Sequence, residues 1–348
     1  MIAGSRVLVI GQLWPGSTSE HRRKTLQELG FSTIGFDISP YTGHANRILS
    51  SVAHRLNIGP PVRRLNRDFL EFIAAAGQTF DYVWVDKGKW LYPETLLKLR
   101  QITGAKIVHY TPDAQLMDNK SRQFKAGVPL YDVMFTTKPF EVELYRKLGV
   151  QHIFLVHQSY DGSRLYPRKL NVSEQKTFGA DVSFIGHCQP HYAACLKAAR
   201  AAGGRVRVWG PGWRRYSRMH KWAREIFSGD GVWEEDYAKA LNGATIGLCL
   251  LSKKIPETTT TRTFEIPGCG VFMLAERTEH HLALFREGVE AEFFGNHEEL
   301  VEKIGYYLHN PQQREKIAAA GHERCLKSGY DNLSRMQQIV ELIGQACG

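Results

Sequence analysis

The sequence predicts an α/β protein with two doubly wound parallel sheets, and three observations support this. Its 348 residues exceed the roughly 250 to 300 at which a single core stops growing. The strand-like segment RVLVIG (6–11) is followed by a glycine-bearing loop, a helical pattern and a second strand at 31–38. The same alternation of strand-like and helix-like segments begins again after residue 178. We therefore expect two Rossmann-like domains facing a cleft.

The first domain is predicted to contain four further apolar strands, at 81–87, 105–111, 131–137 and 152–158. Helical patterns lie between them, such as PETLLKLRQITG (93–104) and PFEVELYRKLG (139–149), and the second ends at a glycine, as helices often do. Residues 159–178 contain many turn-forming residues and show no regular spacing of apolar residues, which predicts a linker.

The second domain is predicted from strands at 180–186, 205–212, 244–251 and 271–276. Helical patterns at 191–203, 234–243 and 261–270 alternate with them, and three more close the chain at 298–310, 311–329 and 332–345. We expect domains at 1–165 and 166–330, with a C-terminal helix in 331–348 that packs back on the first domain.

The composition favours an ordinary cytoplasmic protein. With 43% hydrophobic and 23% charged residues, each domain can bury a normal core. Apolar runs are short and no cleavage-site pattern follows the N-terminus, so we predict neither a signal peptide nor a membrane span. Six scattered cysteines suit a reducing compartment.

One cluster, HCQPHYAAC (187–195), offers metal-ligand side chains. No CxxC pair accompanies it and Pro190 interrupts any helix there, so we predict no metal site.

Charge is distributed unevenly along the chain. Residues 1–170 carry 23 Lys and Arg against 14 Asp and Glu, whereas residues 171–348 carry 22 against 21. The first half therefore either meets an anionic partner, such as a phosphorylated acceptor, a membrane surface or nucleic acid, or simply has a basic soluble surface.

The segment PETTTTRTFEIPGCG (256–270) gives the clearest indication of a binding site. Four threonines and Arg262 precede a predicted helix directly after a strand and a loop, so backbone N–H groups, hydroxyls and a guanidinium should converge on an anion. The chain has no GxGxxG and no GxxxxGK[ST] motif, which argues against a dehydrogenase.

From about residue 105 onward the chain resembles the CgeB-like glycosyltransferases, a GT-B group related to the large retaining family 4. The similarity includes HYTPDAQ, DVSFIG with VRVWGPGW, and an Arg-x-Phe-Glu followed by a small-Cys-Gly turn. The group's C-terminal pattern is matched at Arg262, Phe264, Glu265, Cys269, Gly270, Phe285, Gly288, Glu290, Leu300, Tyr307, Leu308, Gly321 and Arg335.

The resemblance implies a hexosyltransferase that moves a sugar from a UDP- or dTDP-linked donor to an acceptor held by the first domain. In such enzymes the C-terminal domain binds the donor, and no metal is normally required. The E-x7-E spacing of Glu257 and Glu265 implies a ribose ligand in Glu265 and a residue near the transferred sugar in Glu257. A loop glutamate and a helix-dipole glutamate remain the alternatives.

The diphosphate is expected to meet cationic and hydroxyl side chains of the same segment. Arg262 is favoured, with Lys253 or Lys254 second, unless the lysines are merely solvated; Thr260 and Thr261 add hydroxyls.

Glycines at strand ends would let the backbone approach the donor, and aromatic residues would line the nucleoside pocket. The glycines are Gly186, Gly210 and Gly212, and the apolar candidates are Trp209, Trp213, Val232 and Trp233. Simple turn geometry and core packing are the alternatives.

In the first domain, Asp113 and His157 are candidates for a base or a sugar ligand, with a capping aspartate and a packed histidine as alternatives. An inverting reaction would require such a base and a retaining one would not. The E-x7-E spacing favours retention.

The acceptor is left open among envelope, lipid-linked and protein molecules. Residues 200–224 contain no acid and interleave basic with aromatic residues, which suits an anionic acceptor or peripheral contact with the inner membrane face. DNA with a modified base, and a non-catalytic protein of the same fold, remain the alternative interpretations.

Overall fold

A computed structural model describes residues 4–42, 57–77, 79–117 and 121–347. The chain divides into two compact units: unit 1 comprises Met1–His157 with Leu333–Gly348, and unit 2 comprises Gln158–Asn332. The first division lies eight residues before the expected boundary after residue 165.

The described part of unit 1 contains six strands, and helices connect most of them. The strands are β1 (Arg6–Gly11), β2 (Ser32–Asp37), β3 (Tyr82–Asp86), β4 (Lys106–Thr111), β5 (Val133–Thr136) and β6 (Ile153–Leu155). The described helices are α1 (Thr18–Glu28), α2 (Ser39–Thr42), α3 (Pro60–Ala76), α4 (Pro93–Thr103), α5 (Arg122–Gly127) and α6 (Pro139–Lys147), with a 3₁₀ turn at Val128–Leu130.

Unit 2 also contains six strands. They are β7 (Ala180–Ile185), β8 (Val206–Trp209), β9 (Phe227–Gly229), β10 (Ala244–Cys249), β11 (Phe272–Glu276) and β12 (Glu292–Phe294). The helices that precede, connect and follow them are α7 (Val172–Phe178), α8 (Pro190–Ala201), α9 (Trp213–Met219), α10 (Lys221–Ile226), α11 (Glu234–Asn242), α12 (Arg262–Gly268), α13 (Glu279–Leu284), α14 (His297–His309) and α15 (Pro311–Lys327). The last helix, α16 (Asn332–Cys347), packs within unit 1.

Both sheets are parallel and doubly wound, which confirms the predicted fold class. In unit 1 the order is β2-β1-β3-β4-β5-β6, and in unit 2 it is β12-β11-β10-β7-β8-β9. The chain therefore reverses its winding direction between β1 and β3, and again between β7 and β10. At such a switch point the connecting loops diverge and leave a crevice at the carboxyl ends of the strands.

Apolar side chains alternate between the two faces of each sheet, as the period of a strand requires. On β1, Leu8 and Ile10 join one core cluster while Val7 and Val9 join the other. Met336, Ile339 and Ile343 of α16 complete the second cluster. In unit 2, β11 divides its side chains between two clusters in the same way.

The segment expected to be a linker is largely part of unit 2. Tyr160 is buried in a core cluster of unit 2, and its N–H donates to the Tyr330 carbonyl at 3.2 Å. Helix α7 begins at a capping box in which Asn171 and Glu174 bond each other's backbone N–H. The pattern Asn-x-x-Glu at 171–174 carries this start signal and was overlooked in the sequence.

Candidate functional site

The switch point of unit 2 lies where β7 and β10 end side by side. Arg262, the first residue of α12, extends back to this point, and its Nε donates to the Ile185 carbonyl at 2.6 Å. A Cβ built at Gly186 would lie 3.4 Å from Nη2 of Arg262. The guanidinium is thus held against the end of β7, beside a residue without a side chain.

Glu265 lies one turn further along α12, and the Tyr237 hydroxyl of α11 donates to its Oε2. Burial raises the pKa of Glu265, and the charge of Arg262 with the hydroxyls of Tyr237 and Thr261 offsets only part of the rise. Burial alone would lower the pKa of Arg262, but interactions with Tyr237 and Glu265 outweigh it and the net shift is upward. The two half-buried side chains therefore carry opposite charges that attract each other.

The threonines before α12 bond largely to their own segment. The Thr260 N–H donates to Thr263 Oγ1 at 3.1 Å, and the Arg262 N–H donates to Thr260 Oγ1 at 3.0 Å. The Thr263 N–H donates to the Thr260 carbonyl at 3.1 Å. Because these N–H groups are engaged and α12 has only seven residues, the guanidinium of Arg262 is the group here best suited to meet an anion.

Glu257 lies in the loop between β10 and α12. Its Oε2 accepts the Ser252 N–H at 2.9 Å, which fixes the half-buried carboxylate over the end of β10. Lys253 pairs with Glu276, while the exposed side chain of Lys254 contacts no charged partner among the residues that the structure describes. Of the two lysines, Lys254 has the ammonium available for a ligand.

Glu276, at the end of β11, organises this loop and was missed in the sequence. It is 8% exposed, and its Oε1 accepts the Leu251 N–H at 2.6 Å and faces His191 Nε2 at 2.9 Å. An acid ending the apolar strand FMLAE was the only available signal. His191 lies in α8, which begins at Pro190; proline at the first helical position starts that helix rather than interrupting it.

Gly186, Gly210 and Gly212 allow two strand-end turns to pack against each other. Gly210 has φ +146°, and a Cβ there would lie 2.0 Å from the Gly186 carbonyl oxygen. Gly212 has φ +87°, and its Cβ would lie 3.2 Å from the Cβ of Cys188. These contacts favour glycine at 210 and at 212, and they bring the β7 and β8 loops together.

The predicted aromatic lining is divided between core and surface. Trp209 and Trp213 are buried, and Val232 packs against a core cluster. Trp233 is 67% exposed and precedes α11, four residues before Tyr237. Among the tryptophans proposed to line a nucleoside pocket, Trp233 has its ring accessible.

In unit 1, Asp113 follows β4 and pairs with Lys87 Nζ at 2.8 Å. Both residues line a cavity of about 140 Å³ at the switch point between β1 and β3. His157 follows β6, two strands away from β4, and does not line this cavity. The structure therefore separates the two first-domain candidates.

The neighbouring backbone is unusual, because Lys87 has φ +65° and Gly88 has φ +58°. Buried His109 contacts the Lys87 carbonyl through Nε2 at 3.1 Å, and a carbonyl only accepts, so Nε2 carries the proton. Left-handed backbone at a non-glycine residue is rare and concentrates at functional sites.

The comparisons with known proteins agree with this architecture. A crystal structure of Anabaena HepE in complex with UDP and glucose aligns with 98% of this chain and 100% of its own, at TM-score 0.64 and 14% identity. Sucrose-phosphate synthase from Thermosynechococcus elongatus aligns with 98% of each chain, at TM-score 0.69 and 14% identity.

The fold is GT-B. In addition, residues 191–341 match the family described as "Glycosyl transferase-like", and this range contains Glu257, Arg262 and Glu265. A structure described as "putative UDP-N-acetylglucosamine 2-epimerase from Listeria monocytogenes" has a similar fold at TM-score 0.58 and 15% identity, over 98% of this chain and 96% of its own. No curated protein sequence matches the chain.

Neither a membrane-spanning helix nor a metal-binding cluster occurs within the described ranges. No helix there is long and apolar enough to cross a bilayer. The His, Cys, Asp and Glu side chains described for this chain form no group of three able to hold a metal ion.

Two buried histidines predict an acid-sensitive fold. Burial lowers the pKa of His109 in unit 1 and of His281 in unit 2 to about 4, although carbonyl contacts oppose the shift. The unfolded chain takes up these protons first, near pH 6.5, so stability should fall as the pH drops from about 6.5 to about 4, by about 3 kcal/mol per histidine.

Urea unfolding at several pH values measures this loss. His109→Gln and His281→Gln should each flatten the pH dependence, whereas exposed His309→Gln should leave it unchanged. Equal slopes in all four proteins would contradict the assignment of the acid sensitivity to buried imidazoles.

Proposed function

We propose that this protein is a glycosyltransferase whose unit 2 binds a UDP- or dTDP-linked sugar. The observation that carries the proposal is the placement of Arg262 and Glu265 in the first turn of α12, with Arg262 bonded to the end of β7 at the switch point of a GT-B sheet. Both residues lie within the stretch that matches the glycosyl transferase-like family. The bound UDP and glucose in HepE support a uridine donor. CgeB-like membership remains part of the proposal.

The proposed roles follow from charge and hydrogen-bonding capacity. Transfer breaks the bond between the anomeric carbon and the diphosphate and forms a bond from that carbon to an acceptor oxygen. The proton of the acceptor hydroxyl passes to the departing diphosphate oxygen. The leaving diphosphate gains negative charge, which the Arg262 guanidinium and the Lys254 ammonium would stabilise. The free lone pairs of Glu265 would accept from the ribose hydroxyls, and Trp233 would stack on the base.

We further propose a retaining reaction that needs no metal. Glu257, fixed by the Ser252 N–H, would lie beside the transferred sugar without acting as a base. The expected product keeps the anomeric configuration of the donor, which proton NMR of the product detects. Treatment with a chelator should leave the activity unchanged. If the activity is lost and returns only with a divalent cation, the proposal that no metal is needed is contradicted.

We propose that the acceptor is an envelope component, a lipid-linked intermediate or a protein. We also propose that the enzyme works in the cytoplasm, at times on the inner membrane face. Four exposed cations of α9 and α10, Arg215, Arg218, Lys221 and Arg224, have no ion-pair partner within the described part of the chain. They suit an anionic surface.

A DNA acceptor is the second candidate, favoured by the excess of basic residues in the first half of the chain. Retention on duplex DNA that falls steeply with salt would support it. A non-catalytic protein would bind nucleotide without forming product from any donor.

A nucleotide panel tests the donor assignment. UDP or dTDP should raise the melting temperature of the wild-type chain, and Glu265→Gln should abolish most of this shift because the ribose loses a charged acceptor. The matched control Glu298→Gln changes an exposed glutamate of α14 and should preserve the shift.

Because the same architecture occurs in an epimerase, binding must be followed by an assay of transfer. Release of UDP together with a glycosylated acceptor supports the proposal. Conversion of the free nucleotide sugar into its epimer, or no shift with any nucleotide, would contradict it.

A further inference from the structure

We propose that Thr263 and His281 are positioning residues that hold the Arg262 guanidinium where the diphosphate of the donor binds. Neither side chain would touch the donor, because both are fully buried. The inference rests on the proposed function in one respect, since Arg262 is taken to meet the diphosphate. It adds two residues whose effect on the donor passes through Arg262.

The turn that leads into α12 is closed by three hydrogen bonds around Arg262. The Thr263 hydroxyl accepts the Thr260 N–H, and the Thr263 N–H donates to the Thr260 carbonyl. Thr260, held in this way, uses its own hydroxyl to accept the Arg262 N–H. The direction in which the Arg262 side chain leaves the backbone therefore depends on the Thr263 hydroxyl.

His281 of α13 fixes the orientation of that hydroxyl. Its Nδ1 lies 2.7 Å from the Glu276 carbonyl, and a carbonyl only accepts, so Nδ1 carries a proton. Burial lowers the pKa of His281 to about 4, which leaves the ring neutral near pH 7 and makes Nε2 an acceptor. Thr263 Oγ1, at 2.9 Å from Nε2, therefore donates its proton to His281 and keeps both lone pairs for other donors.

Both lone pairs of the Thr263 hydroxyl have a donor. One accepts the Thr260 N–H at 3.1 Å. The other accepts the thiol of Cys249, the last residue of β10, whose Sγ lies 3.5 Å from Thr263 Oγ1. Because its one donor and its two acceptor positions are all used, the hydroxyl has a single orientation, and a fully satisfied buried network of this kind is rigid.

Two further contacts fix α13 against the loop before α12. The Phe293 ring lies parallel to the His281 ring, with the ring centres 5.6 Å apart. Thr278, which caps α13, accepts the His281 N–H at 3.0 Å and donates to the Thr258 carbonyl at 2.9 Å. His281 therefore meets Thr263 from a helix that is already bonded to the same loop.

Arg262 depends on this support because a small rotation of its backbone moves the end of a long side chain by much more. A misplacement of about 1 Å at a reacting group can cost roughly 10²-fold in rate. Replacing the Thr263 hydroxyl with a methyl group takes a bonding partner from the Thr260 N–H and from His281 Nε2. Polar groups left unpaired in a buried site are costly, so we expect the turn to rearrange and to carry Arg262 with it.

A double-mutant cycle on the affinity for UDP tests the inference, because it detects an effect that passes through Arg262. UDP carries the charge that the leaving diphosphate acquires, and calorimetry on the full chain measures its Kd. Thr263→Val should weaken UDP binding about ten-fold in the wild-type background but less than about two-fold in Arg262→Ala. Thr263→Ser keeps the hydroxyl and should bind UDP as wild type does.

A matched control and a second variant complete the test. Thr103→Val makes the same change at a buried threonine of unit 1, whose hydroxyl donates to the Leu99 carbonyl at 2.8 Å, and should leave the Kd of UDP unchanged. If Thr263→Val fails to fold, Thr278→Val at the half-buried cap of α13 takes its place and should show the same dependence on Arg262. Equal weakening in both backgrounds would refute the positioning role, since a purely structural defect acts whether or not Arg262 is present.

The single variant Arg262→Ala separates this inference from the proposed function. If it weakens UDP binding while the cycle shows no coupling, only the positioning role is refuted. If it binds UDP as tightly as wild type, or if wild type binds no UDP, the proposed donor site fails and the inference fails with it.

Discussion

Arg262→Ala is expected to lower the rate of sugar transfer by roughly 10²- to 10³-fold, the range typical of losing one fixed donor to a developing charge. The guanidinium is held by the Ile185 carbonyl and attracted by the charge of Glu265, so it is oriented before the donor binds. Steady-state kinetics with UDP- and dTDP-sugars measure the loss. Most of it should appear in kcat, because the charge develops on departure of the diphosphate.

Two further variants, one conservative and one a control, show whether this loss is specific to the Arg262 guanidinium. Arg262→Lys keeps a positive charge but loses the bond to Ile185, so an intermediate rate is expected. Lys316→Ala removes an exposed cation of α15 that has no ion-pair partner in the described chain and no proposed role, and the rate should not change. If Arg262→Ala raises only KM, the guanidinium binds the donor without stabilising the leaving group.

Gly210→Ala is expected to destabilise unit 2 by about 3 kcal/mol and to remove the melting shift caused by UDP. The new Cβ would meet the Gly186 carbonyl oxygen at 2.0 Å, and backbone there cannot rotate away as a side chain would. The residue also has φ +146°, which alanine adopts only with strain. Urea unfolding and a UDP melting assay measure the two effects.

Gly305→Ala is the matched control. Gly305 lies inside α14, and a Cβ there meets no atom within 4 Å. The variant should be more stable by about 1 kcal/mol, as alanine is in helix interiors. Equal effects of the two substitutions would show that close packing of the β7 and β8 turns is not what requires glycine at 210.

Local sequence patterns were enough to predict the helix α12 and the proximity of its charged residues. Arg262 and Glu265 are three residues apart on one helix, and the sequence predicted that helix, so their proximity needed no tertiary information. The use of the threonine hydroxyls was not predictable in the same way. Whether Thr260 faces a ligand or bonds Arg262 and Thr263 depends on the loop path.

The partners missed in the sequence all lie far along the chain from the residues they hold. Glu276 binds the Leu251 N–H, Tyr237 binds Glu265, and Arg22 binds Asp86 across 64 positions. Nothing in the periodicity around Asp86 distinguishes a carboxylate that binds a distant arginine from one that merely ends a strand. Lys253 and Lys254 are adjacent in the sequence, yet only Lys253 meets Glu276.

By itself the sequence determined that the chain forms two α/β halves, where most strands and helices lie, and that a cation and an acid share the first turn of α12. These features depend on local periodicity and on residues a few positions apart. Only the tertiary structure decided which strands are neighbours. Parallel pairing joins segments that are distant in sequence, so the switch points at β1/β3 and β7/β10, and the side chains that meet there, emerge only when the sheets assemble.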